Sequence, residues 1–276
     1  MTKHKSARPR LCRWLLCCCL PLLAAGGCAA PDAEGAVLTA LKIGKADALI
    51  LRVGAHAVLI DAGEEEDSAE ILSFLKKQQI EALDALIITH FDKDHVGGAD
   101  GILRGIPVGA VYDAAYESDS AEYREYEAAL AETGVPRTRV GEQTALTFGA
   151  LTLALLPSPV QTDQDNDRSL SISAADGLHS FLLPGDAEEA LIDALLEAGL
   201  AAHDFLKLPH HGRWKENLPA LLDAVQPRAV ILTDSQKNPA EEETLALLAE
   251  RGMRTYCTKD GDITVRSSTS GLTVTQ

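Results

Sequence analysis

From residue 38 onward, short apolar runs alternate with polar breaks along the chain. Residues 38–43, 48–53 and 57–60 are separated by Gly44-Lys45-Ala46-Asp47 and by Gly54-Ala55-His56, which predicts a strand meander. Over 69–77, Ile71, Leu72, Phe74 and Leu75 follow a helical period that closes on Lys76-Lys77. Leu86-Ile87-Ile88 predicts a short buried strand that gives way to His90. Further strands are predicted at 108–112, 151–156, 170–173, 181–183, 205–208, 229–232, 254–256 and 263–265. Helices are predicted over 120–132, 188–198, 218–225 and 241–250. No internal repeat or low-complexity block interrupts them. A meander followed by mixed elements predicts a single layered α/β domain with its helices outside.

The front of the chain breaks this pattern. A basic stretch through Arg13 precedes an apolar run from Trp14 to Ala25 and then small residues, the layout of an export signal. The run falls short of the roughly 20 residues a spanning helix needs. Ala25-Gly26-Gly27-Cys28 resembles a bacterial lipobox, with Ala25 where Leu is usual, so Cys28 is the expected lipid-modified residue. Residues 1–27 are therefore expected to be a lipoprotein signal, 28–36 a small polar tether and 37–276 the folded domain. The expected location is the bacterial cell envelope, anchored at the outer face of the cytoplasmic membrane; an ordinary cleaved signal would instead release the domain.

Composition sharpens this division. Hydrophobic residues at 46% and charged residues at 24% argue against wholesale disorder. The formal net charge of -16 hides an asymmetry: five of the 25 basic residues lie in the first 27 positions, which hold no acid. Residues 28–276 carry 20 basic against 41 acidic groups, a net of -21, which argues against avid binding of duplex DNA. Five of the six cysteines (12, 17, 18, 19 and 28) sit in the first 28 positions. Cys257 alone can form neither an internal disulfide nor a Cys-rich zinc site, and its predicted strand suits inert packing.

The densest chemistry is Thr89-His90-Phe91-Asp92-Lys93-Asp94-His95-Val96-Gly97-Gly98, where two His and two Asp follow a buried strand within six residues. A strand-to-helix turn there lets His90 and Asp92 face one metal and Asp94 and His95 another, while the glycines allow a tight turn behind them.

The pattern His90-x-Asp92-x-Asp94-His95 followed by Gly-Gly resembles the metallo-β-lactamase superfamily, whose usual form has a His in place of Asp92. The chain resembles in particular the soluble hydrolase domain of competence-channel proteins of the ComEC type, over about residues 38–267. Ile60-Asp61-Ala62-Gly63 resembles the motif whose Asp orients the metal loop, and Leu183-Pro184-Gly185-Asp186 the motif whose Asp bridges two metals. Leu206-Lys207-Leu208-Pro209-His210-His211-Gly212 resembles the competence-type Lys-x-x-His-His-Gly segment.

The resemblance implies a four-layer αββα sandwich. It also implies a ligand set drawn from His90, Asp92, Asp94, His95, Asp186, His210 and His211. Asp94, Asp61, His211 and Lys207 are the residues it marks for catalysis, with Asp61 acting from behind the ligands. Two divalent ions sharing a carboxylate at ~3.5–4 Å lower the pKa of a water between them toward 7, which suits hydrolysis at phosphorus or carbon. Asp92 hardens the donor set, so Zn or Mn is expected and Fe is also compatible. Which of His210 and His211 completes a metal shell stays open.

Several positions depart from the resembling pattern. The isolated middle His has no equivalent, since His179 reads as a strand residue; Asn166 or Asp167 in Asp165-Asn166-Asp167-Arg168-Ser169-Leu170 is the alternative reaching the site. The His-His-Gly segment continues as Arg213-Trp214, without the Ser of the family form. Trp214 suits stacking on a substrate or packing, and Glu64-Glu65-Glu66-Asp67 suits a helix start or cation recruitment. The expected function is an exported metal-dependent hydrolase of a phosphodiester or another ester or amide; a nuclease is the form the resemblance implies, and the acid excess argues against taking that label over. A diiron redox centre of flavodiiron type and a non-catalytic metal-binding lipoprotein are the alternatives. The expected partners are a small or short phosphodiester-type substrate and, through Cys28, a membrane. Duplex DNA is disfavoured, because Lys207, Arg213 and Lys215 are the only basic rim foreseen beside the site.

Overall fold

The computed structural model describes residues 34–276; the predicted signal and tether residues 28–33, Cys28 among them, lie outside the described residues. The first strand starts earlier than expected. β1 (Glu34–Ala40) takes in residues 34–36 of the expected tether. These small residues join the sheet because Asp176 accepts a hydrogen bond from the Ala36 amide at 2.5 Å, and Gly35 lies where a side chain would collide with Asp176 and Ser267.

The meander continues as β2 (Leu49–Val53) and β3 (His56–Ile60), then helix α1 (Ser68–Lys77) returns the chain to β4 (Leu83–Ile88). Short helices α2 (Lys93–Val96) and α3 (Ala99–Gly105) follow, then β5 (Val108–Ala114), α4 (Ala121–Thr133) and β6 (Arg137–Val140). Four antiparallel strands come next: β7 (Thr144–Phe148), β8 (Leu151–Leu156), β9 (Ser171–Ala175) and β10 (Ser180–Leu183). Helices α5 (Glu189–Glu197), α6 (Leu218–Val225) and α7 (Glu242–Glu250) then alternate with β11 (Phe205–Lys207), β12 (Ala229–Leu232) and β13 (Arg254–Cys257). The chain ends with the hairpin β14 (Ile263–Ser268) and β15 (Gly271–Thr275).

Two sheets result, ordered β15-β14-β1-β2-β3-β4-β5-β6 and β13-β12-β11-β10-β9-β8-β7. Side-chain alternation assigns their faces. In β10, β11 and β12, Phe181, Phe205 and Ile231 join the core shared with the first sheet. Their neighbours Leu182, Leu206 and Val230 pack instead with Leu191 of α5, Leu221 of α6 and Leu248 of α7. Ile71 and Leu75 of α1, Ile102 of α3 and Tyr126 of α4 belong to the large core with the first sheet. This is the four-layer αββα sandwich. No helix among the described residues is long and apolar enough to cross a membrane.

Parallel pairing of β3-β4-β5-β6 and of β10-β11-β12-β13 aligns the carboxyl ends of the strands at which the motifs stand. The Gly97-Gly98 pair lets this edge close. A Cβ on Gly98 would lie 2.2 Å from Ala62 O, and one on Gly97 would lie 2.3 Å from Lys93 O. Gly98→Ala is expected to cost about 1–3 kcal/mol as the two loops are forced apart. Gly141→Ala, whose added carbon meets only Ala115 Cβ at 3.7 Å, should stay within about 0.5 kcal/mol of wild type. Thermal denaturation of both variants makes the comparison, and equal melting temperatures would rule out the packing account.

Candidate metal centre

Asp61 follows β3 with a left-handed φ of 57° and is fully buried. Its carboxylate accepts from Thr89 N (2.7 Å), Thr89 Oγ1 (2.8 Å) and His95 Nδ1 (2.7 Å). The tautomers follow from these bonds. Thr89 Oγ1 spends its proton on Asp61, so its contact with His90 Nδ1 at 3.0 Å has His90 as donor. His211 Nδ1 donates to Thr233 O at 2.9 Å. All three rings are therefore fixed with Nε2 facing the same point.

That point is Asp186. Its Oδ1 lies 3.3 Å from His95 Nε2, and its Oδ2 lies 3.1 Å from His211 Nε2. Asp94 Oδ2 stands 3.4 Å from the same His211 nitrogen. Yet the Nε2 atoms of His90, His95 and His211 are buried without a hydrogen-bond partner. Buried nitrogens are rarely left so, and a cation among them would satisfy all three. His90, His95 and Asp186 form one set with ligand atoms within 4.8 Å of one another, and Asp94, His95 and His211 form a second. The residues present fit a divalent metal.

The foreseen ligands do not all converge equally. His211 takes the inner position, with Asp186 and Asp94. His210 points its Nδ1 at Glu188 Oε1 (2.5 Å), and its Nε2 stays 3.8 Å from Asp186 Oδ2. Both histidines hold left-handed backbone, at φ 47° and 54°, a strain that lets consecutive side chains face one wall. Asp92 sits at the mouth, 44% exposed, with Oδ2 3.7 Å from His90 Nε2. His90 and Asp92 thus do not form a tight pair separate from Asp94 and His95; His95 belongs to both sets.

Three residues at the centre carry no signal in the sequence. Asp47, in the turn between β1 and β2, is buried and pairs with Lys207 Nζ at 2.5 Å. Lys45 Nζ lies 3.4 Å from Asp94 Oδ2. Glu188, just before α5, orients His210 and pairs with Lys215 Nζ. Lys207 itself is fully buried, contacting Asp47, Asp186 Oδ1 (3.2 Å) and Gly185 O (3.2 Å). It cannot form part of a basic rim, and neither can the buried, paired Lys215. Arg213 alone of the foreseen rim lines the cleft, together with Lys45 and Lys93.

The remaining candidates sort on their contacts. Asp167 accepts from the Glu188 and Leu191 amides and starts α5, whereas Asn166 lines the cleft with its Oδ1 buried and unbonded. His179 bonds Ser267 Oγ at 2.8 Å, away from the ligands. Glu64 pairs with Lys93, and Asp67 receives the Glu64 amide. Trp214 packs in the second core. Cys257 is half-buried, and burial pushes its thiol up to about 11.

Charge balance inside the centre is tight. Burial works to raise the Asp186 carboxyl, but His211, His95 and Lys207 hold it well below the ordinary range. Burial works to lower His95, but Asp186 and Asp61 outweigh it and hold the ring well above its ordinary value; His211 is raised by Asp186 and Asp47 in the same way. Burial likewise opposes His210 and Lys215, which together bring Glu188 down to about 2. His210 goes the other way, because burial outweighs Glu188. Above these groups lies a cleft of about 660 Å³ that opens to solvent.

The sequence profile of the metallo-beta-lactamase superfamily matches residues 42–232, a span holding every one of these candidate ligands. The chain belongs to the metallo-beta-lactamase superfamily. Divalent-metal use and a hydrolase type of site come with that membership. Among curated relatives, Recombination protein 2 of Haemophilus influenzae is 30% identical over 204 residues, covering 72% of this chain and 24% of the relative. ComE operon protein 3 of Bacillus subtilis is 29% identical over 209 residues, covering 71% and 26%. The chain thus spans about a quarter of these relatives, in keeping with its resemblance to one domain of competence proteins. Among solved structures, the metallo-beta-lactamase fold protein YhfI from Bacillus subtilis shares the fold at a TM-score of 0.59 and 14% identity, covering 84% of this chain and 100% of that one.

The charge state of this superfamily site sets its metal binding. The carboxylates around His95 and His211 raise both rings, so protons compete with a metal for their Nε2 atoms. Metal affinity should rise about tenfold per pH unit for each proton displaced, and calorimetry in buffers of different ionisation enthalpy reads that number directly. Lys207→Met strands Asp47 and Asp186 without their cation and should cost about 3–5 kcal/mol in the metal-free protein. Urea unfolding with and without chelator measures it, and a loss below about 1 kcal/mol would mean the pair is not what holds these carboxylates.

Proposed function

We propose that this chain is an exported metal-dependent hydrolase that uses two divalent ions, Zn or Mn, on short phosphodiesters. One observation carries the reading: three unpartnered imidazole nitrogens and Asp94 surround Asp186 at the floor of an open cleft. When bound, the ions would supply Lewis acidity that activates water and offsets charge on the substrate's oxygens. His90, His95 and Asp186 would hold one ion, with Asp92 at its open side, and Asp94, His95 and His211 the other.

The chain's own groups prepare that chemistry. Asp61 and Thr233 fix the ligand tautomers, and Lys207 holds one oxygen of Asp186 in place. Glu188 fixes the His210 ring with Nε2 toward Asp186. Short substrates suit a domain whose residues 28–276 carry 20 basic against 41 acidic groups, because an extended polyanion would meet that excess at every step. The leader and Cys28 support export and a lipid anchor, and likeness to competence proteins supports a place in the cell envelope.

The test is elemental analysis of the purified protein, paired with phosphodiester, lactone and β-lactam substrates for wild type and Asp94→Asn. About two metal equivalents and phosphodiester turnover are expected in wild type. Asp94→Asn should lose one equivalent and about a hundredfold or more in kcat, an effect of the size expected when a group stabilising the transition state is removed. A fully loaded wild type that hydrolyses nothing, or that consumes oxygen when loaded with iron, would overturn the reading.

A further inference from the structure

Most cations around the cleft already have partners. Lys93 Nζ pairs with Glu64 at 2.9 Å, and Lys45 Nζ stands 3.4 Å from Asp94. Lys207 and Lys215 are buried in pairs with Asp47 and Glu188. Arg168 lies over the Tyr116 ring at 3.7 Å and beside Asp165 at 3.5 Å. Arg213 is the exception among the described residues. It lines the cleft and is exposed, and its guanidinium makes no hydrogen bond, ion pair or ring contact.

Its backbone, by contrast, is held on both sides. Arg213 N donates to His210 O at 3.0 Å, and Trp214 N donates to Glu241 Oε2 at 2.9 Å. The Trp214 side chain packs in the second core. An uncommitted guanidinium therefore projects from a fixed base two residues from His211. The cleft is also lined by Asp119, Glu122 and Asp165, so acids outnumber the free cations in it.

We propose that Arg213 is a specificity residue that binds a second anionic group, a terminal phosphate, on a short phosphodiester. This rests on the hydrolase reading above and adds the substrate class to it. A planar guanidinium offers paired N–H donors that match phosphate oxygens, which a hydroxyl or a lone ammonium does not. The acidic lining disfavours a longer polyanion, so one extra phosphate on the Arg213 side is the arrangement the cleft accepts.

The test uses the manganese-loaded full chain and a thymidine dinucleotide with and without a terminal phosphate. Calorimetry reads binding and chromatography reads hydrolysis, for wild type, Arg213→Met and Arg213→Lys. In wild type the terminal phosphate should tighten binding and lower KM by roughly ten- to a hundredfold, with kcat unchanged. Arg213→Met should erase that advantage, leave the unphosphorylated dinucleotide and the metal content unchanged, and be partly rescued by Arg213→Lys. Equal binding of the two dinucleotides by wild type overturns the inference, as does an equal loss for both in Arg213→Met. If neither is hydrolysed but phosphate-dependent binding disappears in Arg213→Met, the inference stands and the hydrolase reading fails.

Discussion

Asp186 places a carboxylate in the interior, and the arrangement around it is what makes that burial tolerable. An isolated buried charge costs several kcal/mol, so it persists only with compensating groups in good geometry. Here His95, His211 and Lys207 stand within 3.3 Å of its oxygens. Lys207 is itself buried, so it needs Asp47, and Asp47 in turn lies 3.4 Å from His211 Nδ1. The centre is a closed set of mutually dependent charges rather than a list of ligands.

That dependence explains the backbone around it. Asp61, His210 and His211 all adopt left-handed φ, which non-glycine residues avoid unless the surroundings impose it. Each delivers a side chain that the charge set requires: Asp61 to three donors, His211 to Asp186 and Asp94, His210 to Glu188. Gly97 and Gly98 do the complementary task, letting the ligand loop lie against the end of β3. The parallel strands supply the common edge, and local strain supplies the aim.

How much of this is legible in the sequence follows from range. Leu86-Ile87-Ile88 before His90, and Phe205-Leu206-Lys207 before the His pair, are local signals, and both motifs stand at strand ends as expected. The apolar pattern does not foretell β6, β7 or β15. All three are sheet edges, and edge strands carry polar residues that blur such a pattern. Asp47 reads as a turn residue because the partner that buries it, Lys207, is 160 positions away in the chain. For the same reason Lys207 reads as a surface charge; nothing local tells a strand-end lysine that a carboxylate awaits it.

The acid excess and an anionic substrate are compatible once the charges are placed. Carboxylates at the floor of the cleft are compensated locally by imidazoles and Lys207, and any bound divalent ions would add positive charge there. Uncompensated acids act over about 8 Å at physiological salt, a reach comparable with the cleft itself but short against a duplex. On the proposed hydrolase reading, a small phosphodiester entering beside Arg213 would meet that guanidinium and any bound ions, whereas each further phosphate would meet the acidic lining of the cleft and the net negative surface beyond it. On that reading, overall charge would limit substrate length, while the few paired charges at Asp186 would decide whether a phosphate is held at all.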